Sequence, residues 1–401
     1  MQNPLTATNT SIYNPVKGVY CYRIVFVNVI FIAINGTEDN DKPEWVLIDA
    51  GLKGFSGRIK RLAAKHFGEG NPPKAIILTH GHFDHVGSLK KLAEEWDVPV
   101  YCHRLEFPYV TGKSAYPPQD PTVDYGLMAM VSRIYPTEPI DLGNRVFPLP
   151  ADGIVPFLDE WTWYHVPGHS PGQVALFREN DRALISADAF VTTKQESAYA
   201  VMTQRKEING PPAYFTIDWE TAEDSVRLLE GLRPDVVVSG HGRPMQGSKM
   251  RKELRELAHH FRELAMPEHG RYVNQPAIAD ERGVVDVPPP VTDVLPRVLA
   301  GVGLLAVAAT TSYLLLSRNS GSNGKNVRAE SAKRSKSTGA TAQAKQTDNS
   351  SAGNKITAKT SSKKKAEKQG AKESTAISRK AAAEKNSKTA KSKTKKAKKE
   401  N

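Results

Sequence analysis

The sequence predicts a layered α/β domain followed by one membrane-spanning helix and a disordered basic tail. Residues 20–245 alternate short apolar runs with helical patterns, which is typical of a layered α/β domain. Residues 298–316 form a 19-residue uncharged stretch between Arg297 and Arg318, and about 20 such residues cross a membrane as a helix. Residues 317–401 contain no Phe, Trp or Tyr, so this tail cannot build a core.

The charge of the chain differs sharply between these parts. Residues 317–401 hold 24 Lys and Arg against 6 Asp and Glu, a net charge of +18, whereas the whole 401-residue chain carries +12. The first 316 residues therefore carry −6, and an acidic body disfavours a long polyanionic substrate. The only cysteines, Cys21 and Cys102, exclude a disulfide-rich scaffold and a cysteine-only zinc site.

Apolar runs and helical periodicity predict the elements of the body. The first strands are expected within 24–34, and amphipathic helices are expected at 56–67, 88–96 and 248–265. Further strands are predicted at 45–49, 74–79, 98–102, 161–166, 174–178, 183–186 and 235–239. Residues 107–150 are richer in Pro and Tyr and are predicted to form an excursion on the substrate side.

The segment 79–85 has the sequence THGHFDH and directly follows a predicted strand. It places three imidazoles and one carboxylate within six positions, and these are ligands that zinc prefers. Four side chains from so short a loop cannot all reach one tetrahedral ion. His80 and His82 can share one ion, which leaves Asp84 and His85 to face a second.

Three more candidate ligands stand in similar places. His169 lies in the segment PGHSPG, Asp188 in SADA and His241 in SGHG. Each follows a predicted strand and has glycine or another small residue beside it, so a backbone can approach a site closely. Each alone is also compatible with an ordinary turn, but after the first motif they predict a metal centre.

In order and spacing, these segments resemble the metallo-β-lactamase superfamily over residues 15–250. The resemblance implies a four-layered αββα sandwich with a two-metal site at one edge of its sheets. It implies two zinc ions (Zn²⁺), the first bound by three histidines and the second by an aspartate and two histidines. The implied ligands are His80, His82 and His169 for the first ion, Asp84, His85 and His241 for the second, and Asp188 as the bridging carboxylate.

The resemblance also implies roles for two aspartates. Asp49, in the segment IDAG, matches an aspartate that does not bind the metal but orients its ligands. The alternative is a purely structural role in a turn. Two divalent ions about 3.5–4 Å apart lower the pKa of a bridging water toward ~7, and the resulting metal-bound hydroxide attacks a carbonyl or phosphorus. Asp84 is the predicted catalytic residue, because it can accept the water proton and return it to the leaving group.

We therefore expect a dinuclear-zinc hydrolase that acts on a small ester, thioester or lactone. Only 52 residues separate Asp188 from His241, too few for the extra domain of the family's mRNA-end nucleases. His82 stands where the flavodiiron branch has glutamate. The chain looks most like a bacterial hydrolase branch related to glyoxalase II, although a glutathione-binding basic cluster is not visible in the sequence.

The lactonases of the family carry a tyrosine shortly after the bridging aspartate, whereas Phe190 follows Asp188 here. Tyr199 and Tyr214 are the next tyrosines, and the sequence places neither in the site. Residues 191–217 also contain Lys194 and Arg205 and are predicted to face the substrate, with an ordinary surface connection as the alternative.

Two other functions stay open at this point. One is a persulfide dioxygenase, which shares the first motif but uses one iron held by fewer of the ligands. The other is a membrane-tethered polyanion-binding protein with a degenerate site, in which the tail 317–401 contacts anionic lipid or nucleic acid. A solvated tail without a specific partner is the plainer interpretation of the same residues.

The predicted organisation has three parts. Residues 1–290 form the catalytic domain, with a core at 15–250 and a C-terminal helix and extension at 248–290. Residues 298–316 form a single-pass membrane helix, and 317–401 form the tail. Positive charge favours the cytoplasmic side for the tail, which would place the catalytic domain outside the cell. The body has no signal peptide, however, and export of nearly 300 residues ahead of a single C-terminal helix is unusual. We therefore expect a cytoplasmic catalytic domain.

Overall fold

Two β-sheets form the centre of the part of the chain that the computed structural model describes, which comprises residues 12–35, 42–123 and 127–291. The first sheet contains seven strands in chain order. They are β1 (Ile12–Val16), β2 (Val19–Ile24), β3 (Val27–Ala33), β4 (Trp45–Ile48), β5 (Ile76–Ile77), β6 (Val100–Cys102) and β7 (Val146–Pro148). Pairing is antiparallel from β1 to β4 and parallel from β4 to β7.

The second sheet has six strands in the order β13-β12-β11-β10-β9-β8. They are β8 (Ile154–Val155), β9 (Leu158–His165), β10 (Val174–Arg178), β11 (Ala183–Ala187), β12 (Val236–Ser239) and β13 (Met245–Gln246). Strands β9 and β11 both pair antiparallel with β10, and β12 runs parallel to β11. The C-terminal ends of β9, β11 and β12 therefore lie at one edge of this sheet.

Nine short to medium helices and one hairpin complete the described part of the chain. The helices are α1 (Ser56–Phe67), α2 (Phe83–Val86), α3 (Leu89–Trp96), α4 (Phe107–Val110), α5 (Leu127–Val131), α6 (Ala198–Thr203), α7 (Trp219–Gly231), α8 (Gly247–His259) and α9 (Phe261–Leu264). Strands β14 (Ile278–Asp280) and β15 (Gly283–Asp286) form the antiparallel hairpin.

The alternation of side chains along the strands divides the apolar residues among three core layers. In β3, Phe31 packs with helices α1 and α3, whereas the neighbouring Ile30 faces the second sheet. In β10, Phe177 packs with α7 and α8, whereas Leu176 faces the first sheet. The layers are thus helix, sheet, sheet, helix, and the predicted α/β sandwich is confirmed for the described residues.

Two of the longer helices differ from the sequence prediction. The predicted continuous helix at 248–265 is wrong at His260, which has φ −123° and ψ 37° and separates α8 from α9. Helix α7 was not predicted, although Asp218 caps it by accepting hydrogen bonds from the backbone N–H groups of Glu220 and Thr221 at 3.1 Å. Its buried residues recur at helical spacing and pack on the second sheet.

Within the described residues, no helix is long and apolar enough to cross a membrane. The predicted membrane helix at 298–316 and the predicted tail at 317–401 both lie outside the described residues.

Candidate metal centre

The predicted ligands follow the C-terminal ends of strands that meet at one edge of the sandwich. His80 and His82 follow β5, and Asp84 and His85 lie in α2 immediately after them. The remaining three follow β9, β11 and β12 and are His169, Asp188 and His241. Backbone hydrogen bonds tie the two sheets together here, from Val174 N–H to the carbonyl of Thr79 (2.9 Å) and from Asn28 N–H to that of Gly240 (2.7 Å).

The first group of candidate ligands contains three buried histidines. One nitrogen each from His80, His82 and His169 lies within 4.8 Å of the other two. Nδ1 of His82 is 3.0 Å from Nε2 of His169. These are the three residues that the sequence predicted for the first zinc.

The second group contains one carboxylate and two imidazoles. Ligand atoms of Asp84, His85 and His241 also lie within 4.8 Å of one another. Nε2 of His241 lies 3.4 Å from Oδ2 of Asp84. This set coincides with the ligands predicted for the second zinc.

Asp188 lies between the two groups. Its Oδ2 atom is 3.1 Å from Nε2 of His241 and 3.5 Å from Nε2 of His85, both in the second group. The same oxygen is 3.5 Å from Nε2 of His169 and 4.0 Å from Nε2 of His80, in the first group. The carboxylate therefore faces both groups, which is the placement predicted for a bridging ligand.

Three atoms of these residues are buried polar atoms that have no hydrogen-bond partner among the described residues. They are Nε2 of His80, Nε2 of His85 and Oδ1 of Asp188. Buried polar atoms in proteins are nearly always hydrogen-bonded, and an exception calls for an explanation. Imidazole and carboxylate donors are the set that zinc and related divalent metals bind, so the residues present fit two such ions.

Four of the histidines contact an oxygen atom of the surrounding protein through Nδ1, the ring nitrogen that points away from the centre. Such contacts fix the orientation of a ligand and raise its basicity. The contacts made by Nδ1 are His80 with Thr79 Oγ1 (3.1 Å), His85 with Asp49 Oδ2 (2.8 Å), His169 with Thr216 Oγ1 (3.3 Å) and His241 with the carbonyl of Phe26 (3.0 Å).

Asp49 has two contacts that correspond to its two predicted roles. Its Oδ2 atom accepts a hydrogen bond from Nδ1 of His85, and both of its oxygens accept hydrogen bonds from Thr79 at 2.8 Å. Its backbone has φ +58°, a left-handed conformation that aspartate tolerates better than most residues. Asp49 thus contacts a candidate ligand and also holds Thr79, the first residue of the motif.

The two groups differ in protonation. Burial lowers the pKa of His80 and of His82 well below the usual value, and burial lowers the pKa of His169 to about 4. Burial also lowers the pKa of His85, but the charges of nearby aspartates outweigh it and hold the pKa well above the usual value. The pKa of His241 is raised by the same balance. The first group is therefore neutral at pH 7, whereas the histidines of the second favour the charged form.

The two acidic candidate ligands also differ from each other. Burial raises the pKa of Asp84, which favours its protonated form. Burial raises the pKa of Asp188 as well, but the charges of His241 and His85 outweigh it and hold the pKa well below the usual range. Asp188 is therefore anionic at pH 7, and Asp84 is the better proton acceptor of the two.

Glu106 connects the two loops that carry the first group, and the sequence analysis missed it. Its side chain is fully buried, and its Oε2 atom accepts a hydrogen bond from Gly81 N–H (2.9 Å), between His80 and His82. Its Oε1 atom accepts hydrogen bonds from Gly172 N–H (2.7 Å) and Ser170 Oγ (3.1 Å), just after His169. A Cβ on Gly172 would lie only 2.8 Å from Glu106 Cγ, so glycine permits this approach.

Replacing Glu106 with alanine is expected to lower the free energy of unfolding by at least about 3 kcal/mol. The change leaves several buried donors without an acceptor, at about 1–3 kcal/mol each. Metal affinity of the first group should fall about 10–100-fold, the usual effect of losing a residue that orients ligands. Denaturant unfolding and zinc titration would measure both, and Glu69→Ala, at an exposed position, is the control. Wild-type stability and affinity in Glu106→Ala would contradict this role.

The structure separates the other residues that the sequence analysis considered. Lys194 and Arg205 are exposed, and Arg205 pairs with Glu207 at 3.0 Å. Tyr199 is 72% exposed, and Phe190 is buried in the core beneath α7 and α8. Within the described residues, none of these four side chains makes a hydrogen bond, ion pair or ring contact with a candidate ligand.

Aromatic side chains from two segments form a wall beside the ligands. Phe215 stacks on His82 with ring centroids 4.6 Å apart, and its neighbour Tyr214 is buried. Tyr135 stacks on Phe83 at 5.0 Å and on Phe215 at 6.0 Å. Tyr135 comes from the predicted excursion at 107–150, so this excursion does reach the candidate centre.

The αββα sandwich with two groups of His and Asp side chains at its edge suggests a known family of metal-binding proteins. A family model described as the metallo-beta-lactamase superfamily matches residues 23–241. The chain therefore belongs to the metallo-β-lactamase superfamily.

Among individual proteins, the chain is similar to two from Bacillus subtilis (strain 168). It is 47% identical over 256 residues to the "Probable metallo-hydrolase YflN", a match that covers 64% of this chain and 96% of that protein. It is 30% identical over 202 residues to the "Probable metallo-hydrolase YybB", covering 50% and 77%. A solved structure of a beta-lactamase domain protein from Burkholderia ambifaria matches 64% of this chain and 75% of that chain, with 19% identity and a TM-score of 0.44.

Proposed function

We propose that the protein, a metallo-hydrolase of the metallo-β-lactamase superfamily, is a dinuclear-zinc enzyme that hydrolyses a small ester, thioester or lactone. The observation that carries the proposal is the presence of two three-residue groups with the carboxylate of Asp188 facing both of them. A mononuclear centre needs only one of these groups. Seven converging ligands support two ions, and two ions favour hydrolysis over the iron-dependent oxidation of a persulfide.

Asp84 is the residue that we assign to proton transfer. Two zinc ions bound here would polarise the carbonyl oxygen of a substrate and lower the pKa of a water molecule. Asp84 lies at the centre, 3.4 Å from Nε2 of His241, and burial raises the pKa of its carboxyl group. A raised pKa makes the carboxylate a better acceptor for the proton of the attacking water. The same group then returns the proton to the leaving oxygen or sulfur.

The surroundings of the centre favour a small substrate with an apolar part. Phe215 stacks on His82, and Phe26 lies over His241 with ring centroids 6.1 Å apart. Aromatic faces beside a few polar groups are typical of sites for small organic ligands. The net charge of −6 on residues 1–316 acts in the same direction, because it disfavours a long polyanion.

The proposal is tested by assaying the full chain against matched esters, thioesters and lactones, with His169→Ala beside it. We expect hydrolysis by the wild type and a loss of at least about 10²-fold in His169→Ala, because the first group loses one of three ligands. The variant should retain its circular dichroism spectrum. Oxidation of a persulfide with uptake of oxygen, or turnover unaffected in His169→Ala, would overturn the proposal.

We further propose that residues 298–316 anchor the enzyme in a membrane with the catalytic domain on the cytoplasmic side. The support for the anchor is the 19-residue uncharged stretch, whose length fits one membrane-spanning helix. In membrane fractions we expect the protein to resist extraction at alkaline pH and to be released only by detergent. Release by salt alone would contradict a spanning anchor, and protease protection of the catalytic domain in right-side-out vesicles tests the sidedness.

A further inference from the structure

The four most exposed large apolar side chains among the described residues lie on three short segments. Met202 is 83% exposed and Tyr199 is 72% exposed, and both belong to α6. Ile134, which follows α5, is 64% exposed, and Leu264 in α9 is 60% exposed. In α6 the two exposed residues are three positions apart and share one face, whereas Ala200 is buried. Single exposed apolar residues are ordinary, but a group of them marks an interaction surface.

Backbone contacts make these three segments neighbours in the fold. The N–H of Met128 in α5 donates to the carbonyl of Glu196, just before α6 (3.5 Å). A Cβ on Gly210, seven residues after α6, would collide with the Cβ of Ala265, which directly follows α9. The exposed residues of these segments define one surface, the apolar face, which consists of Ile134, Tyr199, Met202 and Leu264.

Exposed cations stand on both sides of α6 in the chain. Lys194 precedes the helix, Arg205 and Lys206 follow it, and all three side chains are exposed. Residues 191–210 contain two acidic residues, of which Glu196 is buried and Glu207 pairs with Arg205 at 3.0 Å. The apolar face is therefore bordered by positive charge, although residues 1–316 together carry −6.

The last described residues lie on the same side of the body. The carbonyl of Pro288 accepts a hydrogen bond from Nε of Arg271 (2.6 Å), and the N–H of Arg271 donates to the carboxylate of Asp120. The N–H of Asp120 in turn donates to the carbonyl of Tyr214 (2.8 Å). Position 298 follows Pro288 by ten residues, which span at most about 36 Å. A membrane that holds residues 298–316 would therefore lie within this reach of the segments that adjoin α5 and α6.

We propose that the apolar face rests on the surface of an anionic membrane. Apolar side chains bordered by basic residues are typical of protein surfaces that bind at the boundary of headgroups and acyl chains. Tyr199 is of a residue type that favours this boundary, and Lys194 and Lys206 would meet the anionic headgroups of the cytoplasmic leaflet. The inference goes beyond the proposed hydrolase activity and rests in part on the proposed anchor at 298–316.

The test uses the full chain in vesicles of phosphatidylcholine and phosphatidylglycerol, with one spin label at Met202→Cys, Ile134→Cys or Ile154→Cys. Ile154 is 45% exposed on β8 and is the matched control. Both native cysteines are buried, so the label attaches at the new position. Oxygen concentrates in the bilayer, whereas a nickel chelate, present on both sides of the membrane, stays in water. We expect the ratio of oxygen to chelate accessibility to be several-fold higher at positions 134 and 202 than at 154.

The outcomes separate the apolar face from the anchor. If the chain floats with the vesicles but the three labels give equal ratios, the face is overturned and the anchor stands. Shielding of positions 134 and 202 from oxygen and chelate alike would show that protein, such as a second copy of the chain, covers the face, and would also overturn the proposal. If the chain does not float with the vesicles, both the face and the anchor are overturned.

Vesicles of phosphatidylcholine alone test the role of the charges. Without anionic lipid the attraction of Lys194 and Lys206 is lost, so the ratio at position 202 should fall toward that of the control. An equally high ratio in both kinds of vesicle would overturn the preference for anionic lipid.

Discussion

Replacing Asp84 with alanine is expected to lower kcat/KM by about 10²–10⁴-fold, the range that a positioned proton-transfer group contributes. Asp84 is a candidate ligand of the second group and the residue that we assign to proton transfer, so the variant loses both contributions. The side chain is buried at the centre but belongs to none of the three apolar cores. Activity should therefore fall while the fold is retained.

Steady-state kinetics and circular dichroism measure the two parts of this prediction. Asp159→Ala is the matched control, because Asp159 is exposed on β9 and should tolerate the same change without loss of turnover. Near wild-type turnover in Asp84→Ala would show that Asp84 has no catalytic role.

Zinc binding to the metal-free protein is expected to release protons for the second ion and none for the first. The histidines of the first group have pKa values below the usual one, that of His169 about 4, so they are already neutral at pH 7. His85 and His241 have raised pKa values, which favours their protonated forms at that pH. A metal binds only the neutral imidazole, so the second ion must displace up to two protons from these two histidines.

The sign of the pH dependence follows from this difference. As pH rises through the pKa values of His85 and His241, the second ion should bind more tightly, by up to about 100-fold per pH unit when two protons are displaced. Affinity for the first ion should stay nearly constant over the same range. Calorimetric zinc titrations in two buffers with different ionisation enthalpies would measure proton release at each step. Equal release at both steps would contradict the assignment of the two groups.

The candidate ligands converge because each follows a strand at a position that the fold determines, and this is the feature that the sequence allowed to be predicted. His169, Asp188 and His241 are far apart in the chain, but the parallel directions of β9, β11 and β12 bring the strand ends to one edge. The short segment 79–85 supplies the other four ligands, so a single motif contained most of the candidate centre. Apolar periodicity was similarly sufficient for α1, whose observed bounds equal the predicted 56–67.

The residues that support the centre could not be predicted from the sequence. Glu106 contacts Gly172 across 66 positions, and nothing in its local sequence marks it among 43 acidic residues. The exposed positions of Tyr199 and Lys194 depend on how the chain turns after Asp188, which no local pattern specifies.

The most direct test of the dinuclear centre is the metal content of the full chain, purified without chelator, with Asp84→Ala and Asp159→Ala beside it. We expect two zinc ions per chain in the wild type and in Asp159→Ala, and a lower content approaching one in Asp84→Ala. One iron per chain would contradict the account and favour sulfur oxidation. A folded wild-type protein that contains no metal would indicate a degenerate site.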